Sequence, residues 1–135
     1  MKIKFDGILM LKDPSFGKMS KRYTFPNRAV VLEPNVTHIT LIHQDILAPY
    51  KDILESGSFV FPEIPKIQFE NKIWHRVDPK KGRETWALRV TPSTQKALEK
   101  FVDTIMRDLG IRTRENRTFH ISLANLTGNP RHSVR

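Results

Sequence analysis

The apolar positions of this 135-residue chain change period several times from one end to the other. Ile3 to Leu11 is apolar with polar interruptions and predicts an opening strand. Asp13 to Asn27 loses the pattern. It carries Pro14, Gly17 and Pro26 among the basic residues Lys18, Lys21 and Arg22, which predicts a long loop. Arg28 to Leu32 predicts a short buried strand around Ala29-Val30-Val31-Leu32, and Thr37 to His43 alternates as a strand does. From Asp45 to Glu55 the period turns helical through Ile46, Leu47, Tyr50, Ile53 and Leu54, with Gly57 placed to end the helix. Lys66 to Val77 and Glu84 to Thr91 then predict the two arms of a β-hairpin, joined by a turn over Asp78 to Arg83.

The longest periodic stretch is Pro92 to Leu109, where Ala97, Leu98, Phe101, Val102, Ile105, Met106 and Leu109 form one stripe. Thr91 suits its N-cap, Pro92 its first position and Gly110 the residue past its end. Thr118 to Ala124 alternates again, and the polar tail from Asn125 to Arg135 reads as loop. The order β-β-β-α-β-β-α-β mixes hairpins with helices able to cover one face of a sheet, which predicts an α+β fold. No linker or low-complexity segment divides the chain, so a single domain over residues 1–135 is expected.

Composition narrows the class without naming a chemistry. A hydrophobic fraction of 39% and a charged fraction of 27% describe an ordinary globular chain with enough apolar mass for a core. The absence of cysteine excludes disulfides and thiolate zinc sites. The first apolar run, Ile8 to Leu11, is too short for a signal-peptide core or a membrane span, so a cytoplasmic protein with no membrane partner is expected. The net charge of +9 favours a phosphate-bearing partner, although many soluble proteins are merely basic.

Two tetrapeptides carry the chemistry. His38-Ile39-Thr40-Leu41 and His120-Ile121-Ser122-Leu123 share the order histidine, apolar, hydroxyl, apolar, each within an expected strand. Alternation puts His38 with Thr40, and His120 with Ser122, on one face, with the apolar residues on the other. If the two halves of the chain are related by a pseudo-twofold, both pairs converge on one cleft. An unperturbed imidazole titrates near pH ~6.5, so one ring can hold a proton while the other accepts one. Phosphodiester cleavage needs that division between a base for the nucleophile and an acid for the leaving oxygen. The hydroxyls can donate to the non-bridging oxygens. A lone histidine on a strand is more often structural, but two matched copies in separate halves are harder to assign to chance. No third His, Asp or Glu is spaced to complete a histidine metal site, so neither a metal nor a cofactor is expected. His43, His75 and His132 lack the companion pattern.

With these motifs the chain resembles the 2H phosphoesterase superfamily, defined by two His-x-Thr/Ser motifs on strands of a bilobal, pseudo-symmetric fold. The resemblance spans nearly the whole chain: first motif, helix, central strands, long helix, second motif. It implies antiparallel sheets around a central cleft with helices on the outer faces. It also implies His38 and His120 as the acid–base pair and Thr40 and Ser122 as phosphate ligands. Enzymes named 2′-5′ RNA ligases, cyclic phosphodiesterases and 2′-5′ oligoadenylate phosphodiesterases share this site, as do phage enzymes that destroy cyclic oligonucleotide signals. Phe119 to Ala124 followed by Gly128 also resembles the U6 RNA-processing branch.

The expected activity is therefore a metal-independent phosphodiesterase acting on a nucleotide, first of all a cyclic nucleotide or cyclic oligonucleotide. RNA 3′-end processing, 2′-5′ oligonucleotide cleavage and a non-catalytic RNA- or nucleotide-binding module are the alternatives. Around the site, Tyr23 in the basic loop, Arg89 on the face opposite Trp86 and Leu88, and Asn125 after the second motif are candidate substrate contacts. Thr127 and Asn129 accompany Asn125, with loop capping an equal account of all three. Trp86 reads as core, and Trp74 is left open.

Overall fold

Alternating strands must bury one face, and here nearly all of them bury the same one. The computed structural model describes residues 1–113 and 115–135. Its strands are β1 (Lys2–Asp6), β2 (Ile8–Lys12), β3 (Val30–Val31), β4 (Ile39–Ile42), β5 (Trp74–Asp78), β6 (Arg83–Arg89) and β7 (His120–Asn125). They form one antiparallel sheet in the order β1-β2-β4-β7-β6-β5, with β3 on β7 beyond the start of β4. The α-helices are α1 (Pro14–Lys18), α2 (Gln44–Leu47), α3 (Lys51–Glu55) and α4 (Pro92–Leu109). The fold class is α+β.

Leu9, Leu11, Ile39, Leu41, Leu88, Val90, Ile121 and Leu123 are buried together with the α4 residues Leu98, Phe101, Val102, Ile105 and Met106. Each such side chain contributes about 1.5–3 kcal/mol by leaving water. The α4 boundaries agree with the periodicity. Thr91 accepts from the Thr94 N–H at the N-cap, and Gly110 ends the helix at φ 79°, a left-handed conformation that suits glycine.

Elsewhere local chemistry overrides the sequence pattern. The expected opening strand is a hairpin, because Gly7 turns the chain at φ 75° between β1 and β2. The expected loop over 13–27 contains α1, capped by Asp13, and a 3₁₀ turn over Met19–Arg22. The strand around Val30 and Val31 is not buried: the two side chains are 43% and 49% exposed, since β3 has a sheet neighbour only in β7. The helix expected over 45–55 is broken into α2, a 3₁₀ turn over Ala48–Tyr50 and α3, with Pro49 in the middle of the interruption. Ile53 is 43% exposed rather than on a buried stripe. Of the strand expected over 66–77 only β5 is regular, preceded by an isolated bridge from Phe69 to Val90. Among the described residues no helix is long and apolar enough to cross a membrane.

Candidate active site

The core-facing residues fix where everything else points. Ile39 pairs with Ile121 across the β4–β7 seam, and both are fully buried. Their neighbours His38, Thr40, His120 and Ser122 therefore share the opposite face. Continuing the register by one residue sets His38 opposite Ser122 and Thr40 opposite His120. The two histidines are then diagonal neighbours, a relation that spaces backbones by about 7–8 Å and leaves room for one phosphate.

Both rings are held in the same way. The His38 Nδ1–H donates to the Val36 carbonyl at 2.8 Å, and the His120 Nδ1–H donates to the Thr118 carbonyl at 2.8 Å. A carbonyl only accepts, so each Nδ1 carries a proton and each neutral ring presents Nε2 as its basic nitrogen. This also explains why β4 begins at Ile39 and not at the expected Thr37. The Val36 carbonyl at the end of a 3₁₀ turn (Pro34–Val36) goes to the imidazole instead of a strand neighbour.

The surroundings break the symmetry. His38 Nε2 lies 3.2 Å from Thr40 Oγ1, so in the neutral ring it accepts the threonine hydroxyl. His120 Nε2 has no hydrogen-bond partner among the described residues. Trp74 meets the His120 ring edge-on at 5.5 Å between centroids, and the guanidinium groups of Arg76 and Arg89 lie 4.4 and 5.1 Å from the Trp74 ring. Burial pushes the His120 imidazole down to about 4. The Thr118 hydrogen bond opposes this, while Arg76, Arg117 and His38 add to it. Burial also lowers His38, with Lys12 adding to the effect and the Val36 hydrogen bond opposing it.

Arg89 is paired in register with His120, and its Nε lies 3.3 Å from Glu70. Tyr23 packs its ring against the core and donates its hydroxyl to Asn71 Oδ1 at 3.1 Å. Asn125 is fully buried: its Nδ2 donates to the Asn129 carbonyl and Ser133 Oγ, and its Oδ1 accepts from the Thr127 and Gly128 N–H groups. It ties the turn after β7 and has no atom left for a ligand. Thr127 and Asn129 belong to the same turn, Thr127 Oγ1 contacting His132 and Asn129 Oδ1 accepting from Arg131 N–H. His75 stacks on Trp86 and bonds to Glu84. His43 caps α2 through Asp45 N–H.

No family model matches the chain, and neither the curated proteins nor the solved structures include a similar one.

Arg76 and Lys12, which no motif marked, and Trp74, which the sequence left open, also border the candidate site. The signal was present. Counting back through the Asp78–Arg83 turn pairs Trp74 with Ala87 and Arg76 with Thr85, which are in phase with Arg89. Arg76 also binds the chain's last carbonyls, those of Val134 at 2.9 Å and Arg135 at 2.5 Å. Among the described residues no group of three or more His, Asp or Glu is arranged to hold a metal ion.

Proposed function

We propose that the chain is a phosphodiesterase of the two-histidine type, acting without a metal on a nucleotide or oligonucleotide phosphodiester, cyclic ones first. One observation carries this reading: His120 at the start of β7 and His38 immediately before the adjacent antiparallel β4, each imidazole fixed through Nδ1 to a carbonyl two residues upstream and each accompanied by a hydroxyl on the same face. Support also comes from the strand order. β4 and β7 are central, with β2 and β1 outside one and β6 and β5 outside the other, the arrangement a bilobal pseudo-symmetric fold of the 2H kind requires.

The asymmetry assigns roles. His120 Nε2 has its lone pair free and takes the proton from the attacking hydroxyl or water. His38, whose Nε2 is engaged by Thr40 while neutral, is the ring that carries the extra proton when a phosphate anion arrives, and it protonates the leaving oxygen. Thr40 and Ser122 donate to the non-bridging oxygens, and Arg89 and Arg76 supply positive charge beside them. A non-catalytic nucleotide-binding module is the second reading, favoured by burial holding both rings in their neutral form.

Mass-spectrometric product analysis with EDTA present separates the two. The wild-type protein and a His38→Ala/His120→Ala variant each receive cyclic dinucleotides, 2′,3′-cyclic mononucleotides, 2′-5′ oligoadenylate and a short 3′-5′ RNA. Cleavage by the wild type alone is expected. Binding without turnover of any of them would establish the module instead.

A further inference from the structure

The histidine pair occupies only the middle of its sheet face, and the β1–β2 side of that face is cationic. Lys2 pairs with Lys12, and Lys4 with Met10, which in turn pairs with Thr40. Directly paired residues share a face, so Lys2, Lys4 and Lys12 stand on the side of the histidines. Ile3, Phe5, Leu9 and Leu11 hold the hairpin to the core on the other side. With the β2–β4 and β4–β7 registers each continued by one residue, two rows cross the sheet. One runs Lys2, Lys12, His38, Ser122, Ala87, Trp74, and the other Lys4, Met10, Thr40, His120, Arg89. At about 4.8 Å per strand, Lys12 is one strand and Lys2 two strands from His38.

The lysines are placed against the interest of the hairpin. Like charges directly opposite each other across two strands destabilise it, typically by a few tenths of a kcal/mol, and Lys2 and Lys12 are such a pair. None of the three forms an ion pair among the described residues, and Asp6, the acidic residue of β1 on this face, sits at the far end of the strand. An anion lying over the hairpin would relieve that repulsion.

We propose that Lys2, Lys4 and Lys12 form a subsite for phosphates flanking the reacting one. The preferred substrate is then an oligonucleotide, linear or cyclic, with at least one phosphate beyond the scissile linkage, laid from Trp74 across β7 and β4 onto the hairpin. This rests on the phosphodiesterase reading. It removes the 2′,3′-cyclic mononucleotides from the front of the substrate list, because they carry no flanking phosphate for the lysines to hold.

The test is fluorescence anisotropy with a fluorescein-labelled RNA hexanucleotide, beside calorimetric binding of a 2′,3′-cyclic mononucleotide, for the wild type and Lys2→Glu/Lys4→Glu. Expected is at least a tenfold greater loss of affinity for the hexanucleotide than for the mononucleotide. The hexanucleotide log K against log salt should flatten by about 1.4, at ~0.7 per phosphate contact in a single strand. The variant should melt at or above the wild-type temperature, because the facing charges become opposite. Equal losses for both ligands, no binding of the hexanucleotide by the wild type, or a lower melting temperature would each overturn the subsite. The lysines would then serve only to blunt an edge strand. Turnover is not needed for this readout, so failure of the two-histidine chemistry appears separately in the product analysis.

Discussion

Each imidazole commits its Nδ1–H to a backbone carbonyl, and this leaves Nε2 as the nitrogen through which either ring can act. Replacing either histidine by alanine is expected to lower kcat by about 10²–10⁴, the usual worth of one positioned acid or base. A substrate whose bridging leaving oxygen is replaced by sulfur separates the roles, because a thiolate departs without a proton. Rate measurements on that substrate should show His38→Ala largely restored and His120→Ala still impaired. The pH profile has a definite sign as well. In the proposed mechanism the working free form has His120 neutral and His38 protonated, so kcat/KM should rise through the His120 value near 4 and fall above the His38 value, which lies below the usual 6.5. Its maximum therefore belongs on the acid side of 6.5, and a profile that peaks near pH 8 would refute the assignment. Sequence revealed the two His-x-Thr/Ser pairs and their common face because strand alternation is a local rule. It did not reveal that Asn125 is spent on its own turn, since an amide's partners are set by how the chain folds back.

Among the elements, α1 shows how a segment remote from the chemistry can still place it. Gly17 is buried, and a Cβ there would fall closer than 3.0 Å to the carbonyl oxygen, Cα and Cβ of Pro34. Pro34 opens the 3₁₀ turn whose last carbonyl, that of Val36, holds the His38 ring. Gly17→Ala is therefore expected to cost about 1–3 kcal/mol as an overpacking change and to displace His38 as well. Thermal melting would report the first effect. A fall in kcat/KM larger than that of an equally destabilising core change, such as Ile105→Val, would report the second. The 18-residue helix α4 was readable because cap, stripe and terminal glycine all agreed. The expected opening strand and helix over 45–55 break at single residues, Gly7 and Pro49, each of which interrupts a pattern that hydrophobicity alone continues. The direct pairing of β4 with β7 lies between segments far apart in sequence, where no local rule reaches.

At the scale of the whole molecule, two half-buried imidazoles that prefer to be neutral make folding depend on pH. Both titrate lower in the folded chain than the usual 6.5, so within that window the unfolded chain binds more protons. Their contribution to stability is complete above about pH 6.5 and is lost as pH falls towards 4. Asp13 and Glu84, held below the usual carboxylate range by Ser15 and by Arg28 respectively, lose theirs at lower pH still. Melting temperatures across pH 8 to 4 should decline through the upper window, and His120→Gln should flatten that decline. The seam between β4 and β7 carries a consequence of another kind. A phosphodiester has two non-bridging oxygens that are mirror-related and not equivalent, and Thr40 and Ser122 approach the seam from opposite strands. On the proposed reading each hydroxyl is matched to one of those oxygens, which would make the protein a reader of the handedness of phosphorus. Of two phosphorothioate diastereomers, one should suffer through Thr40 and the other through Ser122, and Thr40→Ala should remove the discrimination against only one of them.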